Sequence, residues 1–209
     1  MSTPFALGPT VVLIPVKSFG EAKRRLSPSL SDEARAVLAQ RFANTVVDAA
    51  HGLPVAIVCD DDGVARWAHS RGLSVLREEG RGLNAAVHLA VHELFAAGAE
   101  RAVIVHSDLP LAVDLRWLAD SEGIVLVPDH RLDGTNAMSL PLRSDVLARF
   151  EFSYGVGSFR KHLDQSLAIG LDLSISTTIT HDADLNHDVD LPEDLDEIMS
   201  GARHEATDR

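Results

Sequence analysis

Cysteine occurs once in the 209 residues, at Cys59, so no intrachain disulfide can form and nothing marks an oxidising compartment. Long apolar runs are also missing. The longest near the N-terminus, Val11-Val12-Leu13-Ile14-Pro15-Val16, is far too short to cross a bilayer. No basic segment or small-residue cleavage site precedes it, so no signal peptide is read and the expected location is cytoplasmic. Bases are in deficit: 19 Lys and Arg face 31 Asp and Glu, a formal charge of −12. That deficit argues against nucleic acid as a partner, because phosphates need a basic face. It leaves room for a small anion in a local basic pocket. Repeats, low-complexity tracts and linkers are absent, as is a Gly-x4-Gly-Lys-Ser/Thr phosphate loop.

What is present suits one medium α/β domain over 1–209, with frayed ends expected at 1–8 and 201–209. An apolar share of 45% is enough to bury a sizeable core. The acidity is concentrated at one end: residues 172–209 hold eleven of the acids and two of the bases. The rest of the chain is close to neutral.

Apolar runs alternate with helical patterns. Thr10–Val16, Val55–Cys59, Ala102–His106 and Ile124–Val127 read as buried strands, short and rich in β-branched residues. Leu73–Leu76, Ala137–Leu142 and Ser174–Thr180 are weaker strands. Ser31–Ala50 predicts a helix capped by Ser31, with apolar residues recurring at three and four. Further helices are expected at Gly63–Ser70, Leu83–Ala97, Arg160–Ala168 and Glu193–Met199. Strand–helix alternation implies an α/β sandwich around a mostly parallel sheet. Ligands of such sheets sit beyond the carboxyl ends of the strands, so the segments following strands are the candidate site.

The first strand runs into Lys17-Ser18-Phe19-Gly20-Glu21-Ala22-Lys23-Arg24-Arg25, which packs four bases into nine residues. In an acidic protein this is either a positive pocket for a polyphosphate or a solvated charged loop. The third strong strand ends at Ser107-Asp108-Leu109-Pro110, where Asp108 is placed as a metal ligand, a ribose contact or a turn cap. Asp188-Val189-Asp190 in an extended segment points two carboxylates to one side, toward a hard cation such as Mg²⁺. The same acids also suit a helix start marked by Pro192. Gly134-Thr135-Asn136 offers amides and a hydroxyl to an anion, or simply makes a turn. Tyr154-Gly155-Val156-Gly157-Ser158 precedes a helix whose spare amides, with Arg160 and Lys161, make an anion site, although capping alone also explains Ser158.

Three rival features weigh less. Gly80-Arg81-Gly82-Leu83-Asn84-Ala85 matches a dinucleotide fingerprint, with Asp108 ending the next strand, yet two strands precede it. His88 and His92 share a helix face at metal-binding spacing, but no third ligand follows. Cys59 has no basic neighbour in sequence to activate it and reads as core.

Together these pieces describe metal-assisted transfer between two phosphate-bearing ligands. The ordered set Pro15-Val16-Lys17, Ala22–Leu26, Gly82-Leu83-Asn84, Asp108-Leu109-Pro110, Gly134–Ala137, Tyr154–His162 and Asp188–Leu195 resembles the CofC/FbiD family. These are the 2-phospho-L-lactate or phosphoenolpyruvate guanylyltransferases of coenzyme F420 biosynthesis. The resemblance spans Val11 to Leu195. It implies a Rossmann-like nucleotidyltransferase fold of the GT-A type, with GTP as co-substrate and pyrophosphate as leaving group. It implies Mg²⁺ held by Asp108, Asp188 and Asp190. Lys17, Lys23 and Arg25 would contact the GTP phosphates and Asn84 the nucleoside side. Lys23 and Asp108 would form the catalytic core, while Thr135, Gly155 and Ser158 would hold the phospho-acid. Two departures stand out. Leu191 replaces a small residue that would cap the last helix, and His130, Arg131 and Asp133 add charge near the acceptor turn. The alternatives are a related enzyme acting on a sugar phosphate or 3-phosphoglycerate, and a nucleotide-binding protein without turnover. The expected partners are small molecules, with a homodimer left open.

Overall fold

The structure is a computed structural model describing residues 8–78, 80 and 82–198. Its strands are β1 (Thr10–Pro15), β2 (Val55–Cys59), β3 (Ser74–Arg77), β4 (Arg101–Val105), β5 (Ile124–Pro128), β6 (Thr135–Pro141) and β7 (Thr177–Ile179). They form one sheet in the order β3-β2-β1-β4-β6-β5-β7. Helices α1 (Asp32–Asp48), α2 (Asp62–Ser70), α3 (Gly82–Ala96), α4 (Arg116–Ala119), α5 (Ser144–Leu147) and α6 (Ser158–Leu173) pack on it. Two 3-10 turns, Phe19–Glu21 and Arg24–Leu26, follow β1.

The strands read as continuous apolar runs because both faces of the sheet are covered. Along β1, Val12 and Ile14 enter one core cluster, and Val11 and Leu13 the other. Along β4, Val103 and Val105 join the first and Ala102 and Ile104 the second. Residues of α1, α2 and α4 complete the first cluster; residues of α3, α5 and α6 complete the second. The result is the expected three-layer sandwich. Each fully buried aliphatic side chain contributes about 1.5–3 kcal/mol by leaving water.

Local signals fix several ends. The Ser31 hydroxyl accepts from the Ala34 amide at 3.2 Å, as predicted for the α1 cap. Asp61 does the same for Val64 at 2.9 Å, so α2 starts one residue earlier than its pattern suggests. The strand at 135–141 begins two residues early and runs antiparallel to both neighbours. Its connection to β5 is too short for a crossover, so the two strands must form a hairpin. At the far end, α6 outruns the expected Arg160–Ala168. Gly170 permits this, because a Cβ there would lie 2.5 Å from the Ile175 carbonyl oxygen. Closing the helix through Ser174 at φ 56° takes up the start of the expected strand, which shrinks to β7. Residues 192–198 are helical, and the expected end at Met199 lies outside the described residues, as do the expected frayed termini apart from Gly8. No helix among the described residues is long and apolar enough to cross a membrane. Cys59 is buried, as expected.

Candidate active site

In the strand order β1 connects onward to β2 toward one edge of the sheet and β4 to β5 toward the other, which opens a crevice at the carboxyl ends of these two neighbours. A cleft of about 370 Å³ lies there, lined by Lys17, Lys23, Arg25, His106, Asp108 and Asp190 among others. The basic loop and the acidic tail, far apart in sequence, therefore face one another.

Lys23 is the hinge of the basic loop. It adopts a left-handed conformation, φ 56°, between the two 3-10 turns. The buried guanidinium of Arg35 on α1 holds the preceding turn by donating to the Ala22 carbonyl at 2.8 Å. This geometry sends the Lys23 side chain inward until only 6% of it is exposed. Its Nζ donates to Asp108 Oδ2 at 2.6 Å and to Asp190 Oδ1 at 3.5 Å. Arg25, largely exposed, reaches Asp190 Oδ2 at 3.4 Å. Lys17 is exposed on the cleft wall.

Asp108, Asp188 and Asp190 each offer an oxygen within 4.8 Å of the others'. Burial raises the cost of charging Asp108, but Lys23, followed by His106, outweighs it and holds the carboxyl below the usual range. For Lys23 burial works against the ammonium; Asp108 and then Asp190 and Asp188 more than restore it. Asp188 goes the other way: burial, then repulsion from Asp108 and Asp190, lifts its carboxyl. Lys23 is the buried cation of the cluster, and Arg25 reaches it from solvent only at Asp190, so Asp188 has no ion pair with either base. Asp108 Oδ1 is moreover buried without a hydrogen-bond partner. An all-oxygen donor set with an orphaned carboxylate oxygen fits a hard divalent cation.

Around these residues lies a supporting shell. Asn136 Nδ2 donates to the Leu185 carbonyl at 3.0 Å and to Asp188 Oδ1 at 3.4 Å. His130 Nδ1 stands 4.0 Å from the same oxygen. Asp194 accepts from the amides of Asp190 at 2.9 Å and Leu191 at 2.7 Å, and pairs with Arg131. Asp194, at the third position of the last helix, thus supplies the reach-back half of a capping box, on donors other than those a side chain at 191 would take. An acid three residues into that helix was the sequence signal for it. His106 had only its place at the end of a strand, and Arg35 had none.

The residues expected to hold the phospho-acid are not among those lining this cleft: Thr135 and Ser158 are buried and Gly155 is exposed. Thr135 and Ser158 are joined, the Thr135 amide donating to Ser158 Oγ at 3.1 Å. Gly155 needs its φ of 113°, open to few other residues. The start of α6 differs from the expected anion site. The Gly157 amide already donates to Asp133 Oδ1 at 3.0 Å and the Phe159 amide to the Asp133 carbonyl at 3.0 Å. Arg160 turns to Asp164, and Lys161 to the Val156 carbonyl. Likewise the Gly134 amide is used by Asp129 at 2.8 Å, so that turn closes on itself. Asn84 spends both ends of its amide on the Tyr154 backbone, at 2.7 and 3.2 Å, tying α3 to the glycine loop. The dinucleotide reading fails on position: β3, which leads into Gly80, is a sheet edge, and Asp108 faces Lys23. The rings of His88 and His92 lie 4.5 Å apart on α3, tilted by 48°, with His92 exposed; their spacing forms no three-ligand cluster among the described residues.

A doubly covered sheet with this cleft defines a nucleotidyltransferase fold. A cytidylyltransferase from Leptospira borgpetersenii shares it, with a TM-score of 0.58 at 13% identity over 92% of this chain and 85% of that one. So does 4-diphosphocytidyl-2C-methyl-D-erythritol synthase from Anaerococcus prevotii, with a TM-score of 0.59 at 11% identity over 94% and 96%. The chain belongs to the family described as "Guanylyl transferase CofC like", whose model matches residues 10–208. It is 33% identical over 182 residues to phosphoenolpyruvate guanylyltransferase of Chloroflexus aggregans, covering 81% of this chain and 88% of that protein. It is 34% identical over 173 residues to 2-phospho-L-lactate guanylyltransferase of Methanothermobacter thermautotrophicus, covering 79% and 75%. The protein is a nucleotidyltransferase enzyme.

Proposed function

We propose that this enzyme transfers GMP from GTP to a three-carbon phospho-acid, phosphoenolpyruvate or 2-phospho-L-lactate, in coenzyme F420 biosynthesis. The observation that carries this reading is the meeting of Lys23 with Asp108, Asp188 and Asp190 at the crevice between β1 and β4. A phosphate oxygen of the acceptor forms a bond to the α-phosphorus of GTP. The bond from that phosphorus to the bridging oxygen breaks, and pyrophosphate leaves with the electron pair. The acceptor phosphate is already an anion at neutral pH, so the site needs no strong general base.

Lys17, Lys23 and Arg25 neutralise the triphosphate and the charge growing on pyrophosphate. Asp108, Asp188 and Asp190 would hold Mg²⁺, which supplies further charge neutralisation at the phosphates when bound. Thr135, Gly155 and Ser158 hold the acceptor, and the contribution of the chain is mainly positioning. Asn84 serves the site through its grip on Tyr154. The partners this reading calls for are two small molecules, GTP and the phospho-acid. The reading places the reaction in the cytoplasm.

The test is incubation with GTP, Mg²⁺ and either phospho-acid, assaying pyrophosphate and the guanylylated product. Silence with both, and with 3-phosphoglycerate, would sink the proposal.

A further inference from the structure

His162 was no more than a letter in a motif, yet it is completely buried behind the cleft wall. His106 lines the cleft, its ring packs 5.0 Å from that of Tyr154, and Tyr154 lies 4.9 Å from His162. The Ser153 amide points at His162 Nε2 from 2.9 Å. An amide can only donate, so Nε2 must accept and the neutral ring must carry its proton on Nδ1. Nδ1 is 3.0 Å from Thr135 Oγ1. The imidazole therefore donates to the Thr135 hydroxyl oxygen, which keeps its own proton free. Burial, reinforced by His106 and Lys161, pushes the imidazole down to about 4, which keeps the ring neutral.

Ser158 repeats the pattern. Its hydroxyl oxygen accepts from the Thr135 amide, and its proton has no further partner among the described residues. Two buried hydroxyls thus have acceptor sites filled from inside the protein and protons left for something else. An unused O–H donor in a buried place is costly unless a ligand takes it.

We propose that His162 is a positioning residue that fixes the Thr135 hydroxyl as a hydrogen-bond donor toward the anionic group of the acceptor. This rests on the assignment of Thr135 and Ser158 to the phospho-acid. The run from the Ser153 amide through His162 to Thr135 gives the subsite one polarity. It accepts an oxyanion and disfavours a ligand group that must itself donate.

Steady-state kinetics with GTP and the active phospho-acid test the idea on His162→Phe, His162→Gln, Thr135→Val and the His162→Phe/Thr135→Val pair. His162→Phe is expected to raise the acceptor KM about tenfold, the order of one lost hydrogen bond to a charged group, and to leave the GTP KM nearly unchanged. Gln, which supplies one donor and one acceptor, restores most of it. The double variant is no worse than Thr135→Val alone, because both changes remove one relay. Additive losses, or an equal rise in the GTP KM, overturn the inference and leave the guanylyltransferase reading standing. Absence of turnover with every three-carbon phospho-acid overturns both. Imidazole nitrogen NMR on the unaltered protein is independent of how the variants fold: a proton on Nδ1 is required, and a proton on Nε2 refutes the relay.

Discussion

Lys23 Nζ lies 2.6 Å from Asp108 Oδ2, within a cluster of carboxylates suited to a divalent ion. The ammonium and such an ion compete for the same oxygens. Replacing Lys23 by Met keeps the length and removes the charge. Without nucleotide, Mn²⁺ is expected to bind Lys23→Met about tenfold more tightly than the unaltered protein, since a local competitor has gone. Turnover falls in the same variant by about 10²–10³, the usual cost of losing one charge stabiliser at a phosphoryl centre. Electron paramagnetic resonance of free Mn²⁺ reads the first effect and pyrophosphate release the second. Equal Mn²⁺ affinity in the two proteins would contradict the competition.

Asp108→Asn tests the other side of the pair. It leaves the buried Lys23 with Asp190 as its remaining bonded carboxylate, at 3.5 Å. Breaking a buried ion pair from one side costs about 3 kcal/mol, read as a lower urea midpoint. Adding Lys23→Met to Asp108→Asn recovers part of that loss, because no uncompensated charge stays behind. A double variant less stable than Asp108→Asn would reject this account.

Asp194 organises the tail without lining the cleft. Asp194→Ala removes the acceptor of the Asp190 and Leu191 amides and is expected to cost about 1–2 kcal/mol. It also weakens Mn²⁺ binding, because Asp190 loses its fixed backbone. Arg131→Ala removes a half-exposed guanidinium from the buried Asp194, which keeps its two amide donors, and is expected to cost less than Asp194→Ala. Calorimetric melting of the two variants should show this order.

Burial pushes the His162 imidazole down to about 4 in the folded protein, against the ordinary 6.5 of the unfolded chain. The stability it contributes is complete above pH 6.5 and is lost as the pH falls through about 4. The full span is worth about 3 kcal/mol. Urea denaturation at pH 7 and pH 5 should show a drop, and His162→Gln should flatten it.

The sheet and most helices were legible because burial on two faces writes unbroken apolar runs, and one-sided burial writes a period of three and four. The antiparallel β6 was hidden in plain spacing, since a short connection excludes a crossover. The aspartates were readable as a pair near a helix start, and the basic loop as a charge cluster. What the chain does with Lys23 was not readable, because a left-handed residue between two short turns leaves no pattern in sequence. His162 and Arg35 were invisible for a related reason: their partners are backbone groups and hydroxyls brought near by the fold.

The contact between Lys23 and Asp190 spans 167 residues. At ribosomal rates near 5–20 residues per second, roughly ten to thirty seconds separate the synthesis of its two ends. Lys23 therefore emerges long before this carboxylate exists. The proposed cation site is complete only once the tail has crossed back over the sheet, a contact of long sequence separation that is expected to form late. Capacity to bind a divalent ion thus serves as a clock for the end of folding, readable in a refolding experiment as the step at which Mn²⁺ is first taken up.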